Sequence, residues 1–523
     1  MKQRARMVCQ GSGAVWLSLV VFAGCGAREG AAPAQDLVAT NSGLTVAQRV
    51  TACAADPRVQ LGLVSSDVCV GADLFFRDAF GGNGRTCGSC HPADHNYTID
   101  PDYIATLPAS DALFVAEQQP ALAQLEKPAL MRQYGLIVEN VDDTSDPTNR
   151  FVMRSVPHCL SLATSVTAQA VPTDGTTRPP NQRTGWSGDG APNQGELRDF
   201  QTGAVVQHYT SSLSRTAGTD FILPTSDELD KIVSFTSTIG RTNELTLANL
   251  ALSDSGAETG RLAFLTPANR CNGCHGNAGA NVAAGFNRNF NTGVERSRVA
   301  DLNTQNIPFD GGFGGPGLTS FNFDASGDGV LDSYGNGTFN TPPLIEAADT
   351  GPFFHTNAFT TIESAITFYT TPAFTSSPAG AAGAIVLSAT DIANLGRFLR
   401  VLNAAFNCQM ALARINADIA IIGSYKNHNR DLQQQLAALA LAEVNDALAD
   451  LAGVASLNTA AQTSLSAAQT SLSKASAEEN SPDRLTEVQA ALAAVTAANG
   501  SLSASPAGAT ALTFTMGAGT LMF

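Results

Sequence analysis

The string C-x-x-C-H occurs twice in this chain of 523 residues, at residues 87–91 and 271–275. Two cysteines three positions apart lie on one helical turn, and this spacing with a following histidine is the attachment signal of a c-type haem. The histidine supplies the proximal ligand to the iron. We therefore expect two covalently bound haem c groups. The expected attachment residues are Cys87, Cys90 and His91 at the first site, and Cys271, Cys274 and His275 at the second.

A bare C-x-x-C string is also typical of zinc knuckles and of redox disulfides. Zinc requires a second pair of ligands nearby, and the sequence around neither string offers one. The approaches to the two strings also resemble each other. A glycine and a short amphipathic segment with a phenylalanine precede each string, at residues 71–76 and 260–265. This weak internal duplication favours two related haem units over two unrelated cysteine pairs.

The amino terminus has the features of a secretion signal. Three basic residues precede a short apolar run, residues 16–23, which is too short to span a bilayer. Cys25 then follows Phe-Ala-Gly, which is similar to the bacterial lipoprotein cleavage box. We therefore expect an extracytoplasmic protein of the periplasm, outer membrane or cell surface, held to the membrane by a lipid on Cys25 alone. An ordinary secreted protein is the alternative.

The remaining cysteines and the net charge also constrain the protein. Cys53 and Cys69 are close enough in sequence for a local disulfide, as expected in an oxidising compartment. Cys159 and Cys408 would join distant segments, and buried free thiols are the alternative for this second pair. The net charge of −16 argues against nucleic acid and favours a basic electron-transfer partner.

The sequence predicts a mainly α chain with long loops. Apolar residues recur at helical spacing in residues 361–369 and 388–415, and again in 426–500, where a split near 480–482 predicts a helical hairpin. The expected divisions are a lipoprotein-type signal peptide at 1–25, a tether at 26–45, a first haem domain at 46–255, a second haem domain at 256–425 and a C-terminal helical extension at 426–523.

Three further segments carry a family resemblance. These are the Arg-Ser-Val-Pro turn at 154–157, the Trp-containing stretch at 184–190, and the segment from Thr-Pro-Pro-Leu at 341–344 to Gly-Pro-Phe-Phe-His at 351–355. With the two haem strings, they make residues 50–420 resemble the bacterial di-haem cytochrome c peroxidase and MauG family. The chain is most similar to the surface-associated branch known from methane-oxidising bacteria.

The resemblance implies two cytochrome c-like helical domains with a tryptophan between the haems. The first haem would react with hydrogen peroxide, and the second would store and relay an oxidising equivalent. Trp186 is the only tryptophan besides Trp16 of the signal segment, so it matches the bridging position. Tyr369 stands 14 residues after His355, where the peroxidases have a methionine ligand to the second iron and MauG has a tyrosine. A buried structural tryptophan and a helical core tyrosine are the alternatives.

The chain departs from the family above the reactive haem, where the peroxidases place a Gln and a Glu. Our alignment puts Phe200 or Gln201 at the Gln, and Thr210 at the Glu, so the carboxylate is missing. Cleavage of an O–O bond needs a group that moves a proton between the two oxygens. His208 and Glu196 are the nearest candidates for that catalytic role. Further candidates, as acid–base groups or sixth ligands, are His95 and His158, although a structural role is the simpler alternative for each histidine.

A calcium site is predicted at residues 324–332. Asp324, Ser326, Asp328 and Asp332 occupy positions 1, 3, 5 and 9 of an EF-hand-like loop with glycine at position 6. Position 12 is Gly335, so the bidentate glutamate of such loops is absent. An Asp/Gly turn cluster is the alternative.

Four functions are compatible with these features. The leading hypothesis is reduction of hydrogen peroxide with electrons from a small donor protein, a cytochrome or a cupredoxin. The second is MauG-like oxidation of residues on a partner protein, which Tyr369 and the absent glutamate favour. The third is a non-enzymatic di-haem electron carrier, and the fourth is a haem dioxygenase that cleaves a carbon–carbon double bond. The spin state of the irons and the turnover of peroxide distinguish them.

Overall fold

The computed structural model describes residues 43–140, 148–167, 182–189, 195–314, 320–504 and 508–523. The predicted signal peptide and Cys25 lie outside these ranges, as does most of the predicted tether. The first helix begins at Val46, where the predicted tether ends. Thr45 caps this helix, because its side chain accepts the backbone N–H of Gln48 and Gln48 in turn bonds the Thr45 backbone.

The first predicted haem domain contains short helices joined by loops. Several of these helices start with an Asp or Thr cap, sometimes followed by proline, which are common starting signals for helices. The helices, α1 to α10, are Val46–Ala54, Pro57–Gln60, Ser66–Arg77, Cys87–Cys90, Pro101–Thr106, Val115–Gln118, Pro128–Tyr134, Leu162–Ser165, Leu197–His208 and Ser226–Thr236.

The second predicted haem domain continues with further helices, and the last of them spans 37 residues. These helices, α11 to α16, are Ser255–Leu265, Cys271–Cys274, Ala300–Thr304, Ile362–Phe368, Pro372–Thr375 and Ala389–Tyr425. The two helices predicted here from periodicity are therefore present as α14 and α16, and α16 continues ten residues beyond the predicted segment. The boundaries between the predicted domains remain predictions.

The sequence duplication corresponds to a repeated helix crossing. Helix α3 packs against α10, and α11 packs against α16. A Cβ atom on Gly71 in α3 would lie 1.9 Å from the carbonyl oxygen of Lys231 in α10. A Cβ atom on Gly260 in α11 would lie 1.9 Å from the carbonyl oxygen of Asn394 in α16. Both crossings therefore need glycine, because only glycine lets the two backbones approach so closely.

The C-terminal extension forms three helices rather than the predicted pair. Helices α17 to α19 are Arg430–Ala452, Thr459–Ala477 and Ser481–Leu502. The predicted break near residues 480–482 is present, since α19 begins at Ser481, but a second break at 453–458 divides the first predicted helix. Each helix packs on the next, and α19 packs against α16, which completes a four-helix bundle.

Sheet structure is limited to two small antiparallel pairs in the described residues. Strand β1, Leu136–Glu139, pairs with β2, Val152–Ser155, in a register that sets Ile137 opposite Arg154. Strands β3 and β4, Asn289–Phe290 and Phe339–Asn340, pair in the same antiparallel sense. The prediction of a mainly α fold is confirmed.

One of the two expected disulfides is present. Cys53 and Cys69 are bonded and join α1 to α3, as predicted. The predicted bond between Cys159 and Cys408 is wrong, because both are free thiols. Cys408 is buried inside α16, while the sulfur of Cys159 lies 3.3 Å from the His91 ring. The alternative of two free thiols is therefore correct for this pair.

The last described stretch, 508–523, packs on the body of the protein. Gln409 of α16 donates to the carbonyl oxygen of Leu512 at 3.1 Å, and Arg58 donates to the carbonyl oxygen of Leu521 at 2.8 Å. The ring of Phe523 contacts Phe76 of α3, with a centroid distance of 4.9 Å. This stretch therefore contacts both the four-helix bundle, through α16, and the first predicted haem domain. Among the described residues, no helix has both the length and the apolar character of a membrane span.

Candidate functional site

Both C-x-x-C-H strings fold as one short helical turn that ends at the histidine. The cysteines lie on α4 and α12, and the backbone N–H groups of His91 and His275 bond the carbonyl oxygens of Cys87 and Cys271 at 2.9 and 3.0 Å. The four cysteines are free thiols of intermediate exposure. Neither string is a disulfide, so each offers the two thiols that thioether attachment requires.

The two histidines are held in the same way. The Nδ1 atom of His91 lies 2.8 Å from the carbonyl oxygen of Tyr97, and that of His275 lies 3.0 Å from the carbonyl oxygen of Pro342. A backbone acceptor at Nδ1 fixes the tautomer whose free Nε2 can bind a metal. Burial lowers the pKa of both rings to about 4, so each is neutral at neutral pH, as an iron ligand must be.

One cavity of about 900 Å³ is lined by both strings. Its size is at the upper end of the usual range for bound small molecules and cofactors. All four thiols and both histidines of the two strings line it, with apolar side chains such as Phe75, Phe264 and Ile366 between them. This donor set and this lining fit two covalent haem groups held in one continuous space.

Trp186 lines the cavity that both C-x-x-C-H strings line. Its indole Nε1–H donates to the carbonyl oxygen of Ser155 at 2.9 Å, at the end of β2. Its ring packs against the apolar cluster that contains Phe339 and Phe368, against which Tyr369 also packs. The position fits the predicted bridging role, which remains a prediction.

Tyr369 follows the last residue of α14 and lines the same cavity. Its ring meets Phe368 and Phe374 edge to face, at centroid distances of 5.2 and 5.1 Å. Burial raises the pKa of its phenol, and the nearby thiol groups of Cys274 and Cys271 add to this effect. Ligation to an iron would therefore have to release the phenol proton. Its role as a ligand remains a prediction.

The two predicted acid–base residues lie at opposite ends of helix α9. His208 is the last residue of α9 and lines the cavity. Glu196 precedes the first residue of α9, is exposed and is not among the residues that line the cavity. Twelve residues at about 1.5 Å each put about 18 Å between these ends. Leu197, the next residue, does line the cavity, so the catalytic role of Glu196 remains a prediction.

A half-buried carboxylate that the sequence did not indicate faces His208. Glu139, at the end of β1, lines the cavity and places Oε2 3.8 Å from His208 Nε2. Burial alone would raise the pKa of Glu139, but the contact with His208 and the charge of Arg154 hold it below its usual value. Glu139 lies 69 positions before His208, after an apolar run, so the sequence gave no spacing signal for the pair.

The neighbouring residues fix this pair beside the first haem string. Tyr209, the residue after His208, donates its hydroxyl to the sulfur of Cys87 at 3.1 Å. The side chain of Asn83 donates to the carbonyl oxygens of His208 and Thr210, both at 2.9 Å. Thr210 is fully buried at this turn and brings no carboxylate. The C-terminal end of α9 is thus hydrogen-bonded to the first haem string and to the segment just before it.

The other two candidate histidines differ. His158 lines the cavity, and burial lowers its pKa. His95 does not line it; its ring stacks on Tyr103 at 4.5 Å, and its Nε2 lies 3.2 Å from the Asp100 carboxylate. These contacts of His95 fit the structural alternative, whereas His158 remains a candidate.

The predicted calcium loop brings its acidic residues together. The carboxylates of Asp324, Asp328 and Asp332 lie within 4.8 Å of one another. The hydroxyl of Ser326 lies 3.3 Å from Asp324 Oδ1. Backbone N–H groups of this loop already bond Asp324 and Asp332, which is also what a simple Asp/Gly turn would show. Calcium binding at this loop remains a prediction.

Comparison with known proteins gives only distant similarity. No protein-family model matches the chain, and no curated protein matches it. A MauG-like protein associated with microbial copper homeostasis is 16% identical over 64% of this chain and 89% of its own, with a TM-score of 0.33. The hydrazine synthase of Kuenenia stuttgartiensis is 15% identical over 76% of this chain and 99% of its own, with a TM-score of 0.31. Similarity at this level carries no argument, so the function of this chain is argued from its own residues.

Proposed function

We propose that this protein is a di-haem c-type oxidoreductase that reduces hydrogen peroxide with electrons from an external protein donor. One observation carries the proposal: a single cavity is lined by both C-x-x-C-H strings, each with its histidine held at Nδ1 by a backbone carbonyl. When bound, the two haem groups would supply the redox chemistry. Cys87, Cys90 and His91 would hold the first, and Cys271, Cys274 and His275 would hold the second.

His208 and Glu139 would act together in proton transfer beside the first site. Reduction of one peroxide consumes two electrons and two protons and releases two water molecules. Cleavage of the O–O bond is faster when a side chain takes a proton from one oxygen and returns it to the other. His208 Nε2 can hold that proton, and the carboxylate of Glu139 at 3.8 Å stabilises the charged ring. Glu139 thus supplies the carboxylate that the family resemblance leaves unassigned.

Trp186 would connect the two sites. Its indole hydrogen bond orients the ring from the side of β2, and the aromatic cluster with Phe339 and Phe368 holds it from the side of the second site. An indole can carry a transient oxidising equivalent between redox centres, and the protein contributes the orientation.

The donor and the location follow from charge and from the amino terminus. A net charge of −16 attracts a small basic electron carrier and speeds its encounter with the protein. The predicted lipoprotein signal would direct the protein to the outside of the cytoplasm, with Cys25 as the anchor. A globomycin-sensitive shift in mass, or its absence after Cys25→Ala, tests the anchor directly.

Steady-state turnover of the holoprotein tests the proposed activity. The expected result is oxidation of two equivalents of a reduced, basic cytochrome c per hydrogen peroxide, with an unchanged haem content but at least about a hundredfold slower turnover in His208→Gln, as for loss of a general acid–base group. His428→Gln, at an exposed histidine between α16 and α17, is the matched control. Two low-spin irons that do not react with peroxide would contradict the proposal and favour an electron carrier.

A second candidate, MauG-like oxidation of a partner protein, is favoured by Tyr369 at the cavity near the second site. A phenolate ligand stabilises oxidised iron more than a thioether does. This candidate predicts negligible turnover with a small donor, together with oxidised tryptophan in a partner protein after peroxide is added. Tyr369→Met would raise the potential of the second site under this assignment, whereas a core tyrosine would leave that potential unchanged.

A further inference from the structure

A second group of ligand-type side chains shares no residue with the two haem strings, although its histidine lines the same cavity. Glu295, Asp310 and His355 come from three separate segments, and one potential ligand atom from each lies within 4.8 Å of the others. Their exposed fractions are 4%, 3% and 1%. An imidazole and two carboxylates that meet in the interior need an explanation, because buried charge is costly unless it is paired or bound to a metal.

The contacts within this group leave one carboxylate oxygen without a partner. His355 Nε2 lies 3.1 Å from Glu295 Oε1, which also accepts the backbone N–H of Gly311 at 3.0 Å. Glu295 Oε2 is buried and has no hydrogen-bond partner among the described residues. Such an atom on a side chain that is 96% buried calls for a specific partner. The 3.1 Å separation of Nε2 and Oε1 suits two ligands of one ion about 2 Å from each.

The surrounding charges also favour a cation. Arg154 binds Asp310 through two hydrogen bonds of 2.6 and 2.7 Å, and its guanidinium also feels the charges of Glu139 and Asp189. Arg298 interacts electrostatically with Glu295, but its guanidinium donates instead to the carbonyl oxygens of Pro308 and Ile307 and to Asn303. Among the described residues, no guanidinium is therefore hydrogen-bonded to Glu295, and a bound cation would balance its charge.

We propose that Glu295, Asp310 and His355 bind one divalent transition-metal ion, with Zn²⁺ as the best match. An imidazole nitrogen with carboxylate oxygens suits zinc, whereas calcium prefers oxygen ligands alone. Asp310 Oδ1 accepts from both Arg154 and the backbone N–H of Gly312, whereas Oδ2 accepts only from Arg154 and keeps a second lone pair that can bind the ion. This site is distinct from the haem strings and from the loop at 324–332.

The ion would have a structural role behind Trp186. The backbone N–H of Ser155 donates to the carbonyl oxygen of His355 at 2.7 Å, and the carbonyl of Ser155 accepts the indole N–H of Trp186. The ring of His355 also stacks on Phe339, at a centroid distance of 4.1 Å. A metal bound to His355 would thus fix the backbone that orients the indole.

Metal analysis of the purified holoprotein tests the site, with iron as an internal standard. We expect one zinc for every two irons after loading with Zn²⁺ and removal of weakly bound metal. X-ray absorption at the zinc edge should show one nitrogen and two or three oxygen ligands at about 2.0–2.2 Å. A zinc content below 0.2 per two irons, or a spectrum without an imidazole ligand, would overturn the proposal. The spectrum uses only the wild-type chain, so it does not depend on the folding of a variant.

A matched pair of substitutions localises the ion. Glu295→Gln keeps the shape of the side chain and removes its charge, so zinc affinity should fall by at least about 100-fold, since even loss of a group behind a ligand costs about 10- to 100-fold. Asp328→Asn removes a carboxylate from the exposed loop and should leave the zinc content unchanged. Equal zinc binding by wild type and Glu295→Gln, or loss of zinc only in Asp328→Asn, would contradict the assignment. Peroxide turnover is not part of this test, so its outcome is independent of the proposed activity.

Discussion

The indole nitrogen of Trp186 lies 2.9 Å from the carbonyl oxygen of Ser155, and this hydrogen bond attaches the ring to the end of β2. The chain then runs four residues to Cys159, whose sulfur lies 3.3 Å from the ring of His91 at the first site. The ring of Trp186 also packs against the apolar cluster that contains Phe339 and Phe368, and Tyr369 packs against the same cluster. Trp186 is therefore connected to the first string through residues 155–159, and it packs on the same apolar cluster as Tyr369.

Trp186→Phe should slow electron transfer between the two sites without changing haem binding. Phenylalanine keeps most of the apolar contact but loses the N–H donor and is harder to oxidise. We expect an unchanged haem content, a loss of about 1 kcal/mol in stability for the hydrogen bond, and at least about a tenfold slower peroxide turnover, equivalent to about 1.4 kcal/mol of barrier. Phe321→Leu, at an aromatic residue outside the cavity, is the control. Unchanged turnover in Trp186→Phe would remove the bridging role.

Asp418→Asn should stabilise the protein, and more so at alkaline pH. Asp418 is fully buried in α16, and neither carboxyl oxygen has a hydrogen-bond partner among the described residues. Burial, partly opposed by the charge of Arg484, raises its pKa to about 8. The folded chain therefore keeps a proton that the unfolded chain releases near pH 4, so stability is full below that pH and is lost as pH rises to about 8.

Chemical denaturation at pH 5 and pH 8 measures this effect. The gain in free energy of unfolding from Asp418→Asn should be about 1–3 kcal/mol larger at pH 8 than at pH 5, because asparagine has no proton to lose. Asp431→Asn, at an exposed aspartate in the first turn of α17, should show no such difference. An equal effect of Asp418→Asn at both pH values would show that the carboxyl of the folded chain is already ionised throughout this range, and would contradict the raised pKa.

Gly71→Ala should disrupt the packing of α3 on α10. The added methyl group would lie 1.9 Å from the carbonyl oxygen of Lys231, so the two helices must separate. Overpacking of this kind costs about 1–3 kcal/mol or more. Gly423→Ala is the matched control, because a Cβ there meets nothing within 4 Å and alanine favours the helix by up to about 1 kcal/mol. Thermal unfolding should thus move in opposite directions for the two variants; a Gly71→Ala chain as stable as wild type would contradict the close helix crossing.

Calcium should bind weakly at the loop of Asp324, Asp328 and Asp332. Without a bidentate glutamate at position 12, we expect a dissociation constant of about 10⁻⁴–10⁻³ M, as in weak extracellular sites. At ten times that concentration, calcium would raise the free energy of unfolding by about 1.4 kcal/mol. Isothermal titration of wild type and Asp328→Asn measures the site. Equal binding by both proteins, or none by wild type, would leave the loop as an Asp/Gly turn.

The features that were predictable from sequence depend on local spacing. Two cysteines and a histidine within five residues form one turn wherever that turn sits, so α4 and α12 could be placed without knowledge of the fold. The same holds for the disulfide between Cys53 and Cys69, 16 residues apart. The glycines at positions 71 and 260 precede the strings by 16 and 11 residues and indicated an internal duplication, but not that each glycine lies at a helix crossing.

The features that the sequence did not reveal depend on contacts between distant segments. Glu139 meets His208 only because β1 pairs with β2 and α9 ends beside the first string, and no local pattern specifies this. The predicted bond between Cys159 and Cys408 came from counting cysteines, which carries no information about which thiols approach each other. The sequence also did not show that the twelve residues of α9 set Glu196 and His208 at opposite ends of one helix.

The presence of two tethered iron porphyrins is the central claim, and intact-mass spectrometry of the mature protein tests it most directly. The account predicts a mass increase of two haem groups that survives denaturation, with one group on the peptide of Cys87 and Cys90 and the other on the peptide of Cys271 and Cys274. A mature chain whose four cysteines carry no added porphyrin mass would contradict the account.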